Sequence, residues 1–314
     1  MIFLRKTVAF FIIVLILSGC SKAKVYDSSI ERLRKNSDLE VETIKLANGE
    51  ISYLNNFGFK DPESNQDYLI MIHGFGSNKD TWLNFSKELT KKFKIIVLDL
   101  PGHGESFSEL SNEYTIKNQV EWLKDFLTSL EIEKAHLIGS SMGGAIALKF
   151  TSKYPLKVNS LTLINSAGIY KTETKFTKSL EKGKNLLVVE NKKEFKELMD
   201  LVMENQPYIP SMFFKVLTER KIKRKAIDQK IFDDMSKDLI DLSGNVEKIK
   251  TPTLILWGEK DQVLHLDNAY EFKNRIKTSS LVVFEDTGHL PMMEVPKKTA
   301  SAFVGFVSGS SIGN

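Results

Sequence analysis

The chain alternates between two kinds of apolar pattern. Tyr68-Leu69-Ile70-Met71-Ile72 is a continuous apolar run, as expected of a strand buried on both faces. Lys94–Asp99, Lys134–Gly139, Leu161–Asn165, Thr253–Trp257 and Leu281–Phe284 repeat the pattern. Between these runs the spacing turns helical. In Thr115–Leu130, the residues Ile116, Val120, Leu123, Leu127 and Leu130 fall on one face, and Thr115 is placed to cap the start. Met142–Tyr154 reads as a second helix, closed by Pro155. Leu39–Lys45 and Glu50–Phe57 read as a hairpin pair around the turn signal Asn48-Gly49. Alternating buried strands and helices predict an α/β fold, with a mostly parallel central sheet covered by helices on both faces.

The rhythm breaks between residues 167 and 250. Lys, Glu, Met and Phe dominate there, and the apolar spacing is helical throughout. This predicts a helical cap inserted into a core of residues 39–166 and 251–308, with 309–314 as a flexible tail. The run Arg220-Lys221-Ile222-Lys223-Arg224-Lys225 lies inside the insertion. It reads as a solvated helix face, with contact to anionic lipid as the second reading. Met203, Met212, Phe213 and Phe214 either line an apolar pocket or form the cap's own core.

The N-terminus changes the picture. Arg5 and Lys6 precede an apolar run, Thr7–Leu17, that is too short for a membrane span of about 20 residues. It suits the hydrophobic region of a signal peptide covering residues 1–19. Leu17-Ser18-Gly19-Cys20 then resembles a bacterial lipobox, which makes Cys20 the lipidated first residue of a mature protein. Cys20 is the only cysteine among the 314 residues, so no intramolecular disulfide competes for it. An uncleaved N-terminal anchor is the other reading, and both put the folded part outside the cytoplasm. Polar residues 20–38 are expected to be a tether between lipid and domain.

Composition adds bounds. With 42% hydrophobic and 27% charged residues, the chain resembles an ordinary globular protein. The formal charge of +4 falls to about +2 when Arg5 and Lys6 are lost. That balance gives no reason to expect nucleic acid as a partner. Membrane attachment would then rest on acyl chains rather than on a polybasic patch. No metal-ligand cluster and no nucleotide-binding glycine fingerprint follows the first strand, so no cofactor is implied.

The candidate chemistry centres on Gly139-Ser140-Ser141-Met142-Gly143-Gly144. A buried strand that turns directly into a helix forces a tight elbow, around which only small residues pack. Ser141 has the required spacing to both glycines, and Ser140 is one residue early. The elbow presents the Ser141 hydroxyl at the positive end of a helix dipole. Such a hydroxyl needs a base. Of five histidines, His289 in Thr-Gly-His-Leu-Pro follows the last predicted strand, where a sheet of this kind places its site. The base needs a carboxylate partner. Asp261 lies just past Leu254–Gly258, with Glu259 as fallback. A developing oxyanion needs backbone donors, expected from the amides of Met142 and Phe75 in His73-Gly-Phe-Gly.

These residues together resemble the α/β-hydrolase superfamily. The matching elements are His73-Gly-Phe-Gly, Asp99-Leu-Pro-Gly-His-Gly-Glu-Ser106, Gly139-Ser-Ser-Met-Gly143, Trp257-Gly-Glu-Lys-Asp261 and Gly288-His-Leu-Pro291. His73–Trp82, Thr115–Val120 and the elbow are similar to the monoacylglycerol-lipase branch and its bacterial lipase and esterase relatives. The resemblance implies hydrolysis of a small or medium lipidic ester through an acyl-enzyme on Ser141, with the acyl pocket between cap and sheet. It also implies a structural place for Asp99 and His103. His265 stands where relatives often have proline. Two rivals remain open: carbon–carbon bond hydrolysis by the same triad, and a ligand-binding module of the same fold without turnover.

Overall fold

The computed structural model describes residues 21–59, 65–239 and 242–309. The expected signal peptide, Cys20 and residues 310–314 lie outside the described residues. Helices and strands follow one another as α1 (Lys22–Asn36), β1 (Glu40–Leu46), β2 (Gly49–Asn55), β3 (Tyr68–Ile72), α2 (Leu83–Lys87), β4 (Lys94–Leu98), α3 (Ile116–Ser129), β5 (Ala135–Ser140), α4 (Met142–Lys153) and β6 (Val158–Ile164). There follow α5 (Lys175–Glu181), α6 (Lys192–Val202), α7 (Ser211–Lys223), α8 (Lys225–Leu239), α9 (Ser243–Val246), β7 (Thr253–Gly258), α10 (Asp267–Arg275), β8 (Ser279–Phe284), α11 (Pro291–Glu294) and α12 (Pro296–Val307).

The strands form one sheet in the order β1-β2-β4-β3-β5-β6-β7-β8. β1 and β2 are the expected antiparallel hairpin, and β2 runs antiparallel to β4. All pairings from β4 to β8 are parallel. The continuous apolar runs explain this architecture. Successive side chains of a strand point to opposite faces. Ile70 and Ile72 of β3, Leu161 and Leu163 of β6, and Ile255 and Trp257 of β7 pack with α3, α4 and α10. Leu69 and Met71 of β3, Ile164 of β6, and Leu254 and Leu256 of β7 pack on the other face with Phe85 of α2, Met292 of α11 and Phe303 of α12. Both faces are therefore dry, and the α/β-hydrolase architecture expected from the sequence is the one observed.

The 167–250 stretch is mostly helical, and its buried residues Phe176, Leu201, Ile231 and Met235 join the core cluster along its length. Leu242, Val246 and Ile249 are buried in the same cluster as α4. Helices α5 to α8 make up most of the stretch expected to be the cap. It is fastened to the core by charge at a helix end: Asp238 of α8 accepts from the amides of Ile116 (3.0 Å) and Lys117 (2.8 Å), while the Thr115 hydroxyl accepts from Asn118 (3.2 Å). A carboxylate at a helix N-terminus satisfies unpaired amides and complements the dipole.

The segment read as a tether is instead a helix from Lys22 onward. The Ser21 hydroxyl caps it by accepting from Lys24 N. It is docked by partners remote in sequence. Arg34 donates from Nε and Nη2 to the two oxygens of Asp80 at 2.7 and 2.8 Å, Arg220 Nη2 is shared between both oxygens of Asp27 at 2.7 and 2.8 Å, and Tyr26 meets Phe213 edge-on at 5.4 Å. Polar residues dominate its sequence, so only these long-range pairs distinguish it from a linker. The same contacts decide the role of Phe213, which packs on α1. Phe214 packs on Phe195 of α6 at 5.1 Å, and Met203 is buried where α6 ends.

Candidate active site

Ser141 joins β5 to α4 with φ 54° and ψ −119°, a left-handed φ that costs a non-glycine residue on the order of 1–3 kcal/mol. The surrounding backbone holds it there. Ser141 N donates to Ile164 O (3.0 Å), and Ser141 O accepts from Gly144 (3.0 Å) and Ala167 (3.0 Å). A Cβ on Gly139 would overlap the carbonyl of Gly143, and one on Gly143 would overlap that of Ile72. The small flanking residues are thus a steric requirement. Ser141 is half-buried, whereas Ser140 is fully buried with its hydroxyl unpartnered among the described residues.

Asp261 and His289 meet past the ends of β7 and β8. A Cβ on Gly258 would overlap the carbonyl of Gly288, so the glycine at the end of β7 permits this approach. His289 Nδ1 donates to Asp261 Oδ2 at 2.7 Å, and both side chains are almost wholly buried. The carboxylate is saturated: Oδ2 also accepts from Asn165 Nδ2 (2.6 Å), and Oδ1 accepts from the amides of Val263 (2.7 Å) and Leu264 (3.0 Å). With Nδ1 committed to Asp261, Nε2 is the nitrogen free to accept a proton. Glu259 is exposed and paired with Lys260, and His265 faces Asp267 at 3.1 Å, so neither belongs to this buried pair.

Asn165 escaped the sequence reading. It directly follows β6 with φ 43° and is fully buried. Its Oδ1 accepts from Gly258 N at 3.2 Å while its Nδ2 holds Asp261. A buried polar residue directly after a buried strand, before Ser166-Ala167-Gly168, was the signal available.

The loop after β3 passes beside the elbow. A Cβ on Gly74 would stand 3.1 Å from Ser141 Cβ and 3.7 Å from its Oγ. Met142 opens α4, where the first amides of a helix lack internal partners. Two buried histidines brace the loop. His73 Nε2 accepts from Leu100 N (3.0 Å), and Nδ1 donates to Gly74 O (2.8 Å). Burial pushes its pKa down to about 4. His103 packs edge-on to His73 (5.0 Å) and to Phe75 (6.3 Å), and burial first, then His73, holds it well below the ordinary histidine range. Asp99 accepts from Lys79 N (2.7 Å), Lys79 Nζ (2.6 Å) and Glu105 N (2.8 Å), which makes it a structural hub.

The expected solvated face splits in two. Lys223 is exposed and Arg220 pairs with Asp27, but Lys221 is buried and Arg224 reaches Gly102 O and Asp228. Two positions along an α-helix lie about 200° apart, so Lys221 and Lys223 face opposite ways on α7, and Arg224 caps its end; composition alone did not reveal this. Among the described residues, no cluster of His, Cys, Asp and Glu is arranged to hold a metal, and no helix is long and apolar enough to cross a membrane.

The family model of the alpha/beta hydrolase fold matches residues 67–296, which include every residue of this site. The chain belongs to the α/β-hydrolase family. Among α/β-hydrolase relatives, Lipase 1 of Psychrobacter immobilis is 33% identical over 285 residues, covering 89% of this chain and 87% of that one. Monoacylglycerol lipase ABHD6 of Bos taurus is 31% identical over 80% of this chain and 78% of its own. The crystal structure of a membrane phospholipase A, a novel bacterial virulence factor, superposes with a TM-score of 0.89 at 32% identity, covering 98% of each chain. A meta-cleavage product hydrolase of Pseudomonas fluorescens, at 20% identity over 87% of this chain and 98% of its own with a TM-score of 0.72, shares the fold alone.

Two outcomes are expected from this site. The unfolded chain takes up a proton on each histidine near pH 6.5, whereas folded His73 does so only near 4. Its contribution to stability is complete above about pH 6.5 and is lost as the pH falls toward 4. Urea unfolding should therefore register a loss of about 2 kcal/mol from His73 between pH 7.5 and 5; a flat profile would contradict its burial as a neutral ring. Asn165→Ala leaves Asp261 one donor short and Gly258 N without its acceptor. Ester turnover is expected to drop about 10- to 100-fold, the equivalent of a lost charge-assisted hydrogen bond. Wild-type kinetics in that variant would remove Asn165 from the site.

Proposed function

We propose that this chain is a serine carboxylic-ester hydrolase of the lipase and esterase class, acting on a small or medium lipidic ester such as a monoacylglycerol. The observation that carries the reading is the buried 2.7 Å Asp261–His289 contact past the same sheet end as the strained Ser141 elbow. The names of the lipase and monoacylglycerol lipase relatives support the substrate class. So does the apolar surrounding: Phe176, Leu201, Ile231 and Met235 of the cap share a buried cluster with Met142. The carbon–carbon bond reading has only a likeness of fold behind it.

In this mechanism Ser141 Oγ attacks the ester carbonyl while His289 Nε2 takes its proton. Asp261 stabilises the resulting imidazolium. The oxyanion is held by the amides of Met142 and Phe75, each worth about 3 kcal/mol. Collapse breaks the ester C–O bond, and His289 returns the proton to the departing alkoxide. Water, deprotonated by His289, then attacks the acyl-enzyme; its collapse releases the fatty acid and reprotonates Ser141. Cys20 would carry the N-terminal lipid and keep this chemistry at a bacterial extracytoplasmic membrane, where such esters are at hand. The membrane phospholipase A likeness supports that location.

Ser141→Ala is expected to abolish hydrolysis of p-nitrophenyl esters and labelling by a fluorophosphonate, with an unchanged circular dichroism spectrum. Activity above about a hundredth of wild type would sink the assignment. His289→Ala should cost about a thousandfold or more, and His265→Ala little; the opposite ranking would identify the wrong base. Cys20→Ser should move the enzyme to the soluble fraction and remove palmitate labelling. Continued tight membrane attachment would favour an uncleaved anchor.

A further inference from the structure

The mechanism leaves one buried charge cluster unexplained. Lys221, near the end of α7, is 8% exposed, and Asp228 of α8 is fully buried. Lys221 Nζ donates to Asp228 Oδ2 at 2.7 Å, and Arg224 Nη2 donates to Asp228 Oδ1 at 3.0 Å. Burying the Lys221 and Asp228 charges costs several kcal/mol each unless they are met by partners, and half-buried Arg224 adds a second cation to the cluster. One carboxylate cannot neutralise two cations, so the cluster keeps an excess positive charge. Backbone oxygens of the core take it up: Lys221 Nζ reaches Gly76 O at 3.3 Å, and Arg224 Nη2 reaches Gly102 O.

Those oxygens are not arbitrary. Gly76 follows Phe75, and Gly102 precedes His103, whose ring touches Phe75. Lys221 Nζ also stands 5.5 Å from the centre of the Phe75 ring, within cation–π range. Phe232 of α8 closes on the same ring at 5.8 Å. Gly76 has φ 64°, and a Cβ there would collide with Lys221 Nζ. The positive φ is what requires glycine here, and the ammonium occupies the space beside it.

We propose that Lys221 is a positioning residue for the oxyanion hole. Through the Lys221–Asp228–Arg224 cluster, the cap fixes Phe75 and Gly76 beside Ser141 and so aims the Phe75 amide. This rests on the reading of Phe75 as an oxyanion donor. Backbone donors stabilise a transition state only when they are held at the position where charge develops. His73 and His103 hold the start of this loop from the core, and Lys221 adds a hold from the cap at Gly76 O.

The test compares Lys221→Met, Lys221→Gln and the exposed control Lys223→Met in the full-length chain, using p-nitrophenyl butyrate and a trifluoromethyl ketone inhibitor. The inhibitor forms a tetrahedral adduct on the serine and so reports on the hole directly. Lys221→Met is expected to lower kcat about tenfold, with KM within twofold, and to weaken the inhibitor by the same factor. Lys221→Gln keeps a donor for Gly76 O and should fall between Lys221→Met and wild type; it carries the test if the methionine variant does not fold. Lys223→Met should match wild type. The proposal is overturned if folded Lys221 variants keep wild-type kcat, if their loss lies in KM alone, or if Lys223→Met loses as much. An inactive wild type would instead overturn the esterase reading and this inference together. An active wild type with an inactive Ser141→Ala isolates the question to Lys221.

Discussion

The Asp261 carboxylate is the constraint around which the site is arranged. A buried carboxylate is tolerable only when its oxygens are fully met, and removal of one partner strands a charge in the interior. Four donors meet this one, from Asn165, Val263, Leu264 and His289. They come from the ends of three neighbouring strands, β6, β7 and β8, so the carboxylate ties together the sheet edge that carries the candidate base. Asn165 doubles the tie, since its other end accepts from Gly258 N. The orientation of His289 is therefore set by the core before any substrate arrives.

The cap reaches the same machinery from the opposite direction. Val202 O, at the end of α6, accepts from His289 N at 3.1 Å. Glu294 of α11 accepts from Gly288 N at 3.0 Å and from Glu204 and Asn205 N at 3.0 and 2.8 Å, so one carboxylate binds the histidine loop to the segment after α6. Lys221 and Arg224 do the equivalent for the loops after β3 and β4. α1 lies over α7 through Tyr26 and Arg220, which are 5.0 Å apart as a cation–π pair. A chain of contacts thus runs from the first described helix through α7 to Gly76.

How much of this was legible follows from what each feature depends on. The buried strands were readable because both of their faces are dry, and that forces continuous apolar runs with sharp ends. The elbow was readable because its steric demand falls on glycines at fixed offsets, Gly139 and Gly143. The capped start of α3 was readable for the same local reason, a Thr115 hydroxyl three residues before the amide it meets. Features that depend on distant partners were not readable. α1 is held by Asp80 and Phe213, and nothing within residues 20–38 announces them. Lys221 and Lys223 sit two positions apart in one basic run, yet one is buried and the other exposed. Asn165 looks like the polar end of a strand until Asp261, 96 positions later, is placed beside it.

The strain at Ser141 gives these long-range ties their purpose. A left-handed serine persists only where its surroundings over-determine it. On the core side that condition is met several times over: Ser141 N donates to Ile164 O, Ser141 O accepts from Gly144 and Ala167, and glycine contacts leave no room for adjustment. The loop carrying Phe75 has no comparable hold from the core. His73 and His103 brace it as neutral rings, and contribute packing and hydrogen bonds without adding charge near the place where an oxyanion would form. The cap adds a further restraint at Gly76 O through Lys221. Ser141, His289 and Asp261 are thus fixed by the sheet, whereas the loop carrying Phe75 is contacted by both core and cap. On the proposed reading of these residues, the α7–α8 junction is the point at which the cap bears on the loop beside Ser141.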